Sequence, residues 1–180
     1  MQYKIQCCCI TGHPINKFTF RYDEAQENCV KLKMKLAVEI EEMRKKGVTT
    51  FLASMAQTVG VWGAEIVLDF KRAYPDDPIR LVVITVNKKR LNHWPGNYRN
   101  RYLDILDRAN QTIVLQTHYA RIQSHSYGCF MADVSGHMIA VFNGGPGATR
   151  HAVKYAQKNG LEIVLINPVA LKKHLFTFIK

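Results

Sequence analysis

Short apolar runs alternate along this chain with longer stretches whose apolar residues recur every three or four positions. Few folds accommodate that alternation. Residues 3–10, 48–53, 81–86, 112–115, 137–142 and 161–166 read as strands. Residues 25–46 read as a long amphipathic helix, with Cys29, Leu32, Leu36, Ile40 and Met43 on one face and Gly47 as its left-handed stop. Residues 59–74, 98–109 and 148–159 read as further helices, and a short one is expected near Met131 after a loop over 121–127. The tail from Val169 is read as a last short helix. Strands separated by crossovers of this length pair in parallel, with right-handed connections. The unbroken run Leu81-Val82-Val83-Ile84 belongs to a strand covered on both faces. The expectation is a single domain over residues 1–180, α/β in class, with a Rossmann-like three-layer α/β/α architecture and a mostly parallel central sheet.

Ligands of open α/β sheets sit beyond the carboxyl ends of the strands. The loops to inspect therefore follow Ile10, Ala53, Val86, Leu115 and Phe142. The last carries the strongest signal: a strand ending in Val141-Phe142 runs into Asn143-Gly144-Gly145-Pro146-Gly147 and then opens a helix at Ala148-Thr149. Glycines allow positive φ and close backbone approach to an oxyanion, and a helix start presents unpaired N–H groups. Gly144, Gly145 and Gly147 are the expected phosphate cradle, with the Thr149 hydroxyl beside it. The bend is neither a Walker A sequence nor a full G-x-G-x-x-G.

Two other loops share that sheet edge. Thr11-Gly12-His13 follows the first strand, and His13 could meet a phosphate or take part in proton transfer. Ser54 and Thr58 follow the second strand and could donate to phosphate oxygens or cap the next helix. Glu65, early in that helix, is the one candidate catalytic residue. It could serve as a general base, accept from a ribose hydroxyl, or complement the helix dipole.

Charge is unevenly distributed. Residues 80–180 hold fourteen Lys and Arg against four Asp and Glu, whereas residues 1–79 hold eleven against ten. The basic half could meet a polyanion such as nucleic acid, or an acidic protein surface. Lys88, Lys89, Arg90, Arg99 and Arg101, interleaved with Trp94, Tyr98 and Tyr102, are the candidate polyanion contacts. Equally, the aromatics could fold inward while the cations face water. The five cysteines include three in a row, Cys7-Cys8-Cys9, without the spaced pairs of a metal site. They read as packed thiols, with Cys7 and Cys9 on one face of a strand and Cys8 on the other, and reduced thiols fit the cytoplasm. No metal is expected, no apolar run approaches the roughly 18 residues of a membrane helix, and nothing reads as a secretory signal.

The order of motifs resembles the YpsA-like branch of the SLOG superfamily, related to LOG and DprA Rossmann-like domains. The resemblance spans about residues 8–168. It is carried by Ile10-Thr11-Gly12-His13, Phe20, Tyr22-Asp23-Glu24, Met55-Ala56, Trp62-Gly63-Ala64-Glu65, Tyr74-Pro75, Trp94, Arg101-Tyr102, Met131-Ala132-Asp133, Gly144-Gly145-Pro146-Gly147-Ala148-Thr149 and Ile166-Asn167-Pro168. It implies a Rossmann-like fold and a pocket for a nucleotide or an ADP-ribose-like ligand, with no other cofactor required. LOG relatives cleave nucleoside monophosphates at the N-glycosidic bond.

This sequence departs from the pattern at the pocket. Ser54 and Thr58 stand where relatives carry glycines, and Gly60 stands at an acidic position. Thr85-Val86-Asn87-Lys88 replaces an acidic loop, Tyr127-Gly128-Cys129 replaces a basic R-N-R, and the H-R-P of the first turn is His13-Pro14-Ile15. Lost glycines obstruct backbone approach, and a lost arginine removes bidentate phosphate capture. The expected function is therefore binding of a nucleotide-derived ligand by a remodelled, non-catalytic pocket. The alternatives are a basic inhibitor-like protein, of the kind a mobile element carries, acting on nucleic acid or a ribonucleoprotein, and an N-glycosidic hydrolase using Glu65. Homo-oligomers remain open.

Overall fold

The computed structural model describes residues 2–55, 59–85, 96–115 and 125–176. A short helix α1 (Gln2–Ile5) precedes strand β1 (Cys7–Gly12). There follow a 3-10 turn (Ile15–Lys17), α2 (Glu27–Lys45), β2 (Thr50–Ser54), α3 (Val59–Ala73), β3 (Arg80–Thr85) and α4 (Gly96–Arg108). The chain continues through β4 (Gln111–Val114), α5 (His125–Asp133), β5 (His137–Val141), α6 (Ala148–Lys158), β6 (Glu162–Ile166) and β7 (Lys173–Phe176).

Among the described residues the strands form one sheet in the order β4-β3-β2-β1-β5-β6-β7, parallel throughout except for β7. Chain order runs outward from β1 to β4 on one side and from β5 to β7 on the other. The topological switch, and the crevice it opens, therefore lies between the carboxyl ends of β1 and β5.

The period-two burial that makes this sheet is visible strand by strand. Cys8, Ile10, Leu81, Val83, Ile139, Val141, Val164 and Ile166 join α2, α3 and α4 in one core. Cys9, Val82, Ile84, Met138, Ala140 and Ile163 join α5 and α6 in the other. Both faces are thus covered, and residues of uninterrupted apolar strands alternate between two cores. The cysteines divide as expected: Cys8 lies in the first core, while Cys9, with Cys7 packed against it, lies in the second. α2 buries Cys29, Leu32, Leu36, Ile40 and Met43. It stops at Gly47, φ 92°, where N–H groups of Gly47 and Val48 reach the Arg44 and Met43 carbonyls.

Three expectations fail. Residues 3–5 belong to α1 and not to the first strand, which begins only at Cys7. The tail is a strand and not a helix. Asn167 accepts from the N–H groups of Val169 and Ala170 at 2.9 and 3.1 Å, and Leu171 takes a positive φ of 50°. The chain thereby reverses and pairs β7 antiparallel on the open edge of β6. Backbone groups on a sheet edge need partners, and this tertiary demand overrides the weak local pattern. Of the loop expected at 121–127, residues 121–124 lie outside the described residues and residues 125–127 already belong to α5.

Candidate functional site

The turn after β5 and the turn after β1 meet at the switch point. The His13 N–H donates to the Val141 carbonyl at 3.1 Å, prolonging the β1–β5 pairing by one bond. His13 is buried, and its ring lies 5.3 Å from that of Phe142. Its Nε2 sits 2.7 Å from Asn143 Oδ1, which also accepts the Gly145 N–H at 3.0 Å. The Asn143 backbone N–H also reaches Nε2, at 3.3 Å, so this nitrogen faces both a donor and an acceptor from one residue, and its role follows the ring tautomer. Asn143 thus ties the bend both to itself and to the first turn. Sequence alone assigns it no role of its own within the bend, although Asn before Gly-Gly is a turn signal in its own right.

Gly144 and Gly147 adopt φ of 88° and 132°, and nothing lies within 4 Å of where a side chain would start at either. Gly147 is also the N-cap of α6, with ψ −170° and no side chain capping the helix. That backbone region is essentially reserved for glycine. The bend is therefore exposed and open, and it leads into a helix start whose first-turn amides have no intrahelical partners.

The other expected ligand residues divide. Thr11 is half-buried beside Ala140 on the crevice edge. Thr149 is buried, and its hydroxyl donates to the Gly12 carbonyl at 2.9 Å, so it braces the two turns and is not a free phosphate donor. Gly12 serves packing: a Cβ there would stand 2.5 Å from Val59 Cγ2. Ser54 ends β2 beside Ile84, while Thr58 lies outside the described residues.

Glu65 is not poised as a base. Arg101 grips it through two bonds of 2.6 Å, Nε to Oε1 and Nη2 to Oε2. The third arm, Nη1, reaches Glu24 Oε1 at 2.7 Å. Glu24 also accepts from Trp62 Nε1 at 3.0 Å and from the Tyr98 hydroxyl at 3.1 Å, and it pairs with Lys33. Arg101 is thus held between two carboxylates, which takes it out of the expected polyanion surface. Tyr98 and Tyr102 fold inward. Arg99 is exposed, and Lys88, Lys89, Arg90 and Trp94 lie outside the described residues.

Burial works to raise the Glu24 carboxyl, but hydrogen bonds from Arg101, Lys33 and Trp62 overcome it and bring it down to about 2 from 4.5. A carboxylate depressed on folding stabilises the protein fully above its unfolded value and loses that contribution as pH falls through the folded value. Stability should therefore drop between about pH 4.5 and 2 by an amount on the order of 3 kcal/mol from this group. Urea midpoints measured down this range should show the decline, and Glu24→Gln should flatten it.

Burial disfavours the thiolate form of the cysteines. Burial raises the thiols of Cys7, Cys8 and Cys129, pushes Cys9 up to about 12, and sets Cys29 at about 11. Among the described residues no cluster of three or more His, Cys, Asp or Glu could hold a metal ion, and no helix is long and apolar enough to cross a membrane.

Comparison with known proteins fits this geometry. The model of the YpsA family (YspA SLOG family) matches residues 8–171. The chain belongs to the YpsA SLOG family. It is similar to UPF0398 proteins of Bacillus thuringiensis strain Al Hakam and of Bacillus cereus strains AH187 and G9842. Each is 27% identical over 157 residues, covering 84% of this chain and 82% of the relative. Membership makes it a Rossmann-like, nucleotide-related domain, and the low identity makes it a divergent member of the YpsA SLOG family.

Proposed function

We propose that this protein binds a phosphate-bearing, nucleotide-derived ligand in the crevice between β1 and β5 and does not use Glu65 to hydrolyse it. One observation carries the reading: the Asn143–Gly147 bend stands open at the topological switch point and feeds the uncapped start of α6. The amides of the bend and of the first turn of α6 take the phosphate. Asn143 and His13 hold the bend in shape, and Thr149 fixes it to the first turn. The Gly145 N–H already has Asn143 as its partner, so Gly144 and Gly147 matter more than Gly145 for reaching the ligand.

The hydrolase alternative needs Glu65 to accept a proton. Both its oxygens instead receive charged donors from Arg101, which fixes its position. A ribose hydroxyl would have to compete with that pair. Glu65 is better assigned to the α3–α4 interface.

Calorimetric titration with AMP and with ADP-ribose tests the reading. Gly147→Ala forces an L-residue into the reserved backbone region, at about 1–3 kcal/mol, and should weaken binding about tenfold or more. Glu65→Gln should leave binding unchanged, and chromatography should detect no free base. The proposal fails if neither compound binds at millimolar concentration and native mass spectrometry finds no retained nucleotide. Base release abolished by Glu65→Gln would establish the hydrolase instead.

A further inference from the structure

The cations of this chain are sorted by face. Around α2 and α3 most of them are engaged: Lys31, Lys33, Arg44, Lys45, Lys46 and Arg72 each hold a carboxylate, and Lys71 reaches the Asn110 side chain, with Lys35 the exception among the described residues. α6 is different. Arg150, Lys154 and Lys158 recur every fourth residue on its exposed side, and no ion pair or hydrogen bond joins them to another described residue. From α5 through α6 the one described acidic residue is Asp133, which accepts from the Tyr155 hydroxyl at 2.9 Å.

Four residues of α-helix rise about 6 Å and turn about 40° past a full circle, so the three cations form a slanting row that climbs about 12 Å along the exposed side. Arg150 stands in the first turn of α6, so the row begins at the open bend and runs away from it. Mutual repulsion along such a row costs stability unless an anion lies over it. No large apolar side chain of α6 is exposed, although Val134 is at the end of α5. A protein partner would need an apolar centre to its interface, with charge at the rim. A bare cationic ridge suits a phosphodiester backbone instead. α6 is packed into its layer against α5 and the sheet, so only one side of it is available. It cannot enter a duplex major groove as a protruding recognition helix does. A single strand can lie along it, with successive phosphates near successive cations.

We infer that the outer side of α6 is a binding surface for single-stranded nucleic acid, with Arg150, Lys154 and Lys158 neutralising its backbone. The surface adjoins the nucleotide crevice at Arg150 and extends away from it through Lys154 and Lys158, and it does not require a small ligand bound there.

Fluorescence anisotropy of the full chain with a labelled oligo-dT 20-mer, and with a 20-bp duplex, tests it. Three neutralised phosphates give a salt slope of about −2 on a single strand, so affinity should fall roughly 20-fold between 50 and 200 mM salt. Arg150→Glu, Lys154→Glu and Lys158→Glu combined should remove that salt dependence and weaken binding at least tenfold. A control reversing Lys31, Lys45 and Arg72 changes net charge equally and should leave the slope in place. Circular dichroism melts would confirm that both triple variants fold. Four results would overturn the inference: no binding to oligo-dT at 50 mM salt, equal loss in both triple variants, tighter binding of the duplex, or binding of poly-glutamate alone.

Discussion

Replacing Arg101 by methionine should lower the melting temperature by roughly 5–10 °C, or about 2–3 kcal/mol. The guanidinium bridges Glu65 and Glu24 with bonds of 2.6, 2.6 and 2.7 Å. Methionine keeps most of the volume and deletes the charge. Two partly buried carboxylates, 33% and 18% exposed, then face each other with less compensation. Glu24 keeps Lys33, Trp62 and Tyr98, but Glu65 keeps no charged partner among the contacts described. Removing one member of a buried pair costs about 3–5 kcal/mol, and partial exposure reduces that range.

Two companion variants separate structure from chemistry. Arg101→Lys supplies a point charge without the planar fork, so it can serve one carboxylate well but not both, and should recover about half the loss. Glu65→Gln retains a hydrogen-bond acceptor and should cost less than about 1 kcal/mol. Thermal melts followed by circular dichroism read all three. An Arg101→Met protein that melts with the wild type would mean that the network holds nothing together, and would reopen a catalytic role for Glu65.

The same network marks the limit of what the amino-acid sequence discloses. The sheet was legible because Leu81-Val82-Val83-Ile84 and its counterparts carry their own pattern, and because Gly47 announces the end of α2. The open bend was legible because glycines cluster between a strand and a helix. The Glu24–Arg101 pair joins residues 77 apart, and no local period links them. The resemblance quoted both residues without giving either a partner. The Thr149 contact is hidden for a related reason: a hydroxyl at a helix start looks like a ligand donor, and only the fold brings the Gly12 carbonyl to it. β7 escaped notice because Lys172-Lys173-His174 has neither helical nor strand periodicity, and only the open edge of β6 gives it a shape.

Gly60→Asp would install the acidic residue that the family resemblance implies at this position, and it should destabilise this chain by about 3 kcal/mol. A Cβ at Gly60 would lie 2.0 Å from the Ser54 carbonyl oxygen and 3.0 Å from its carbon. Backbone cannot rotate aside as a side chain can, so α3 or the end of β2 must move. That motion would disturb Val59 and Trp62, both buried in the core that α3 shares with β1 and α2. Gly96, at the start of α4, provides the contrast, since nothing lies within 4 Å of a Cβ there. Gly96→Ala should be neutral or mildly stabilising through a narrower unfolded ensemble. Urea midpoints of the two variants should therefore diverge, with Gly60→Asp well below wild type. The divergence has a functional meaning. Ser54, where the family resemblance implies glycine, stands at the strand end that the first turn of α3 closely approaches. Glycine at 60 accommodates that approach, so the two departures are coupled parts of one repacked rim. If Gly60→Asp unfolds with the wild type, α3 has slack at its start, and the departures at 54 and 60 are independent.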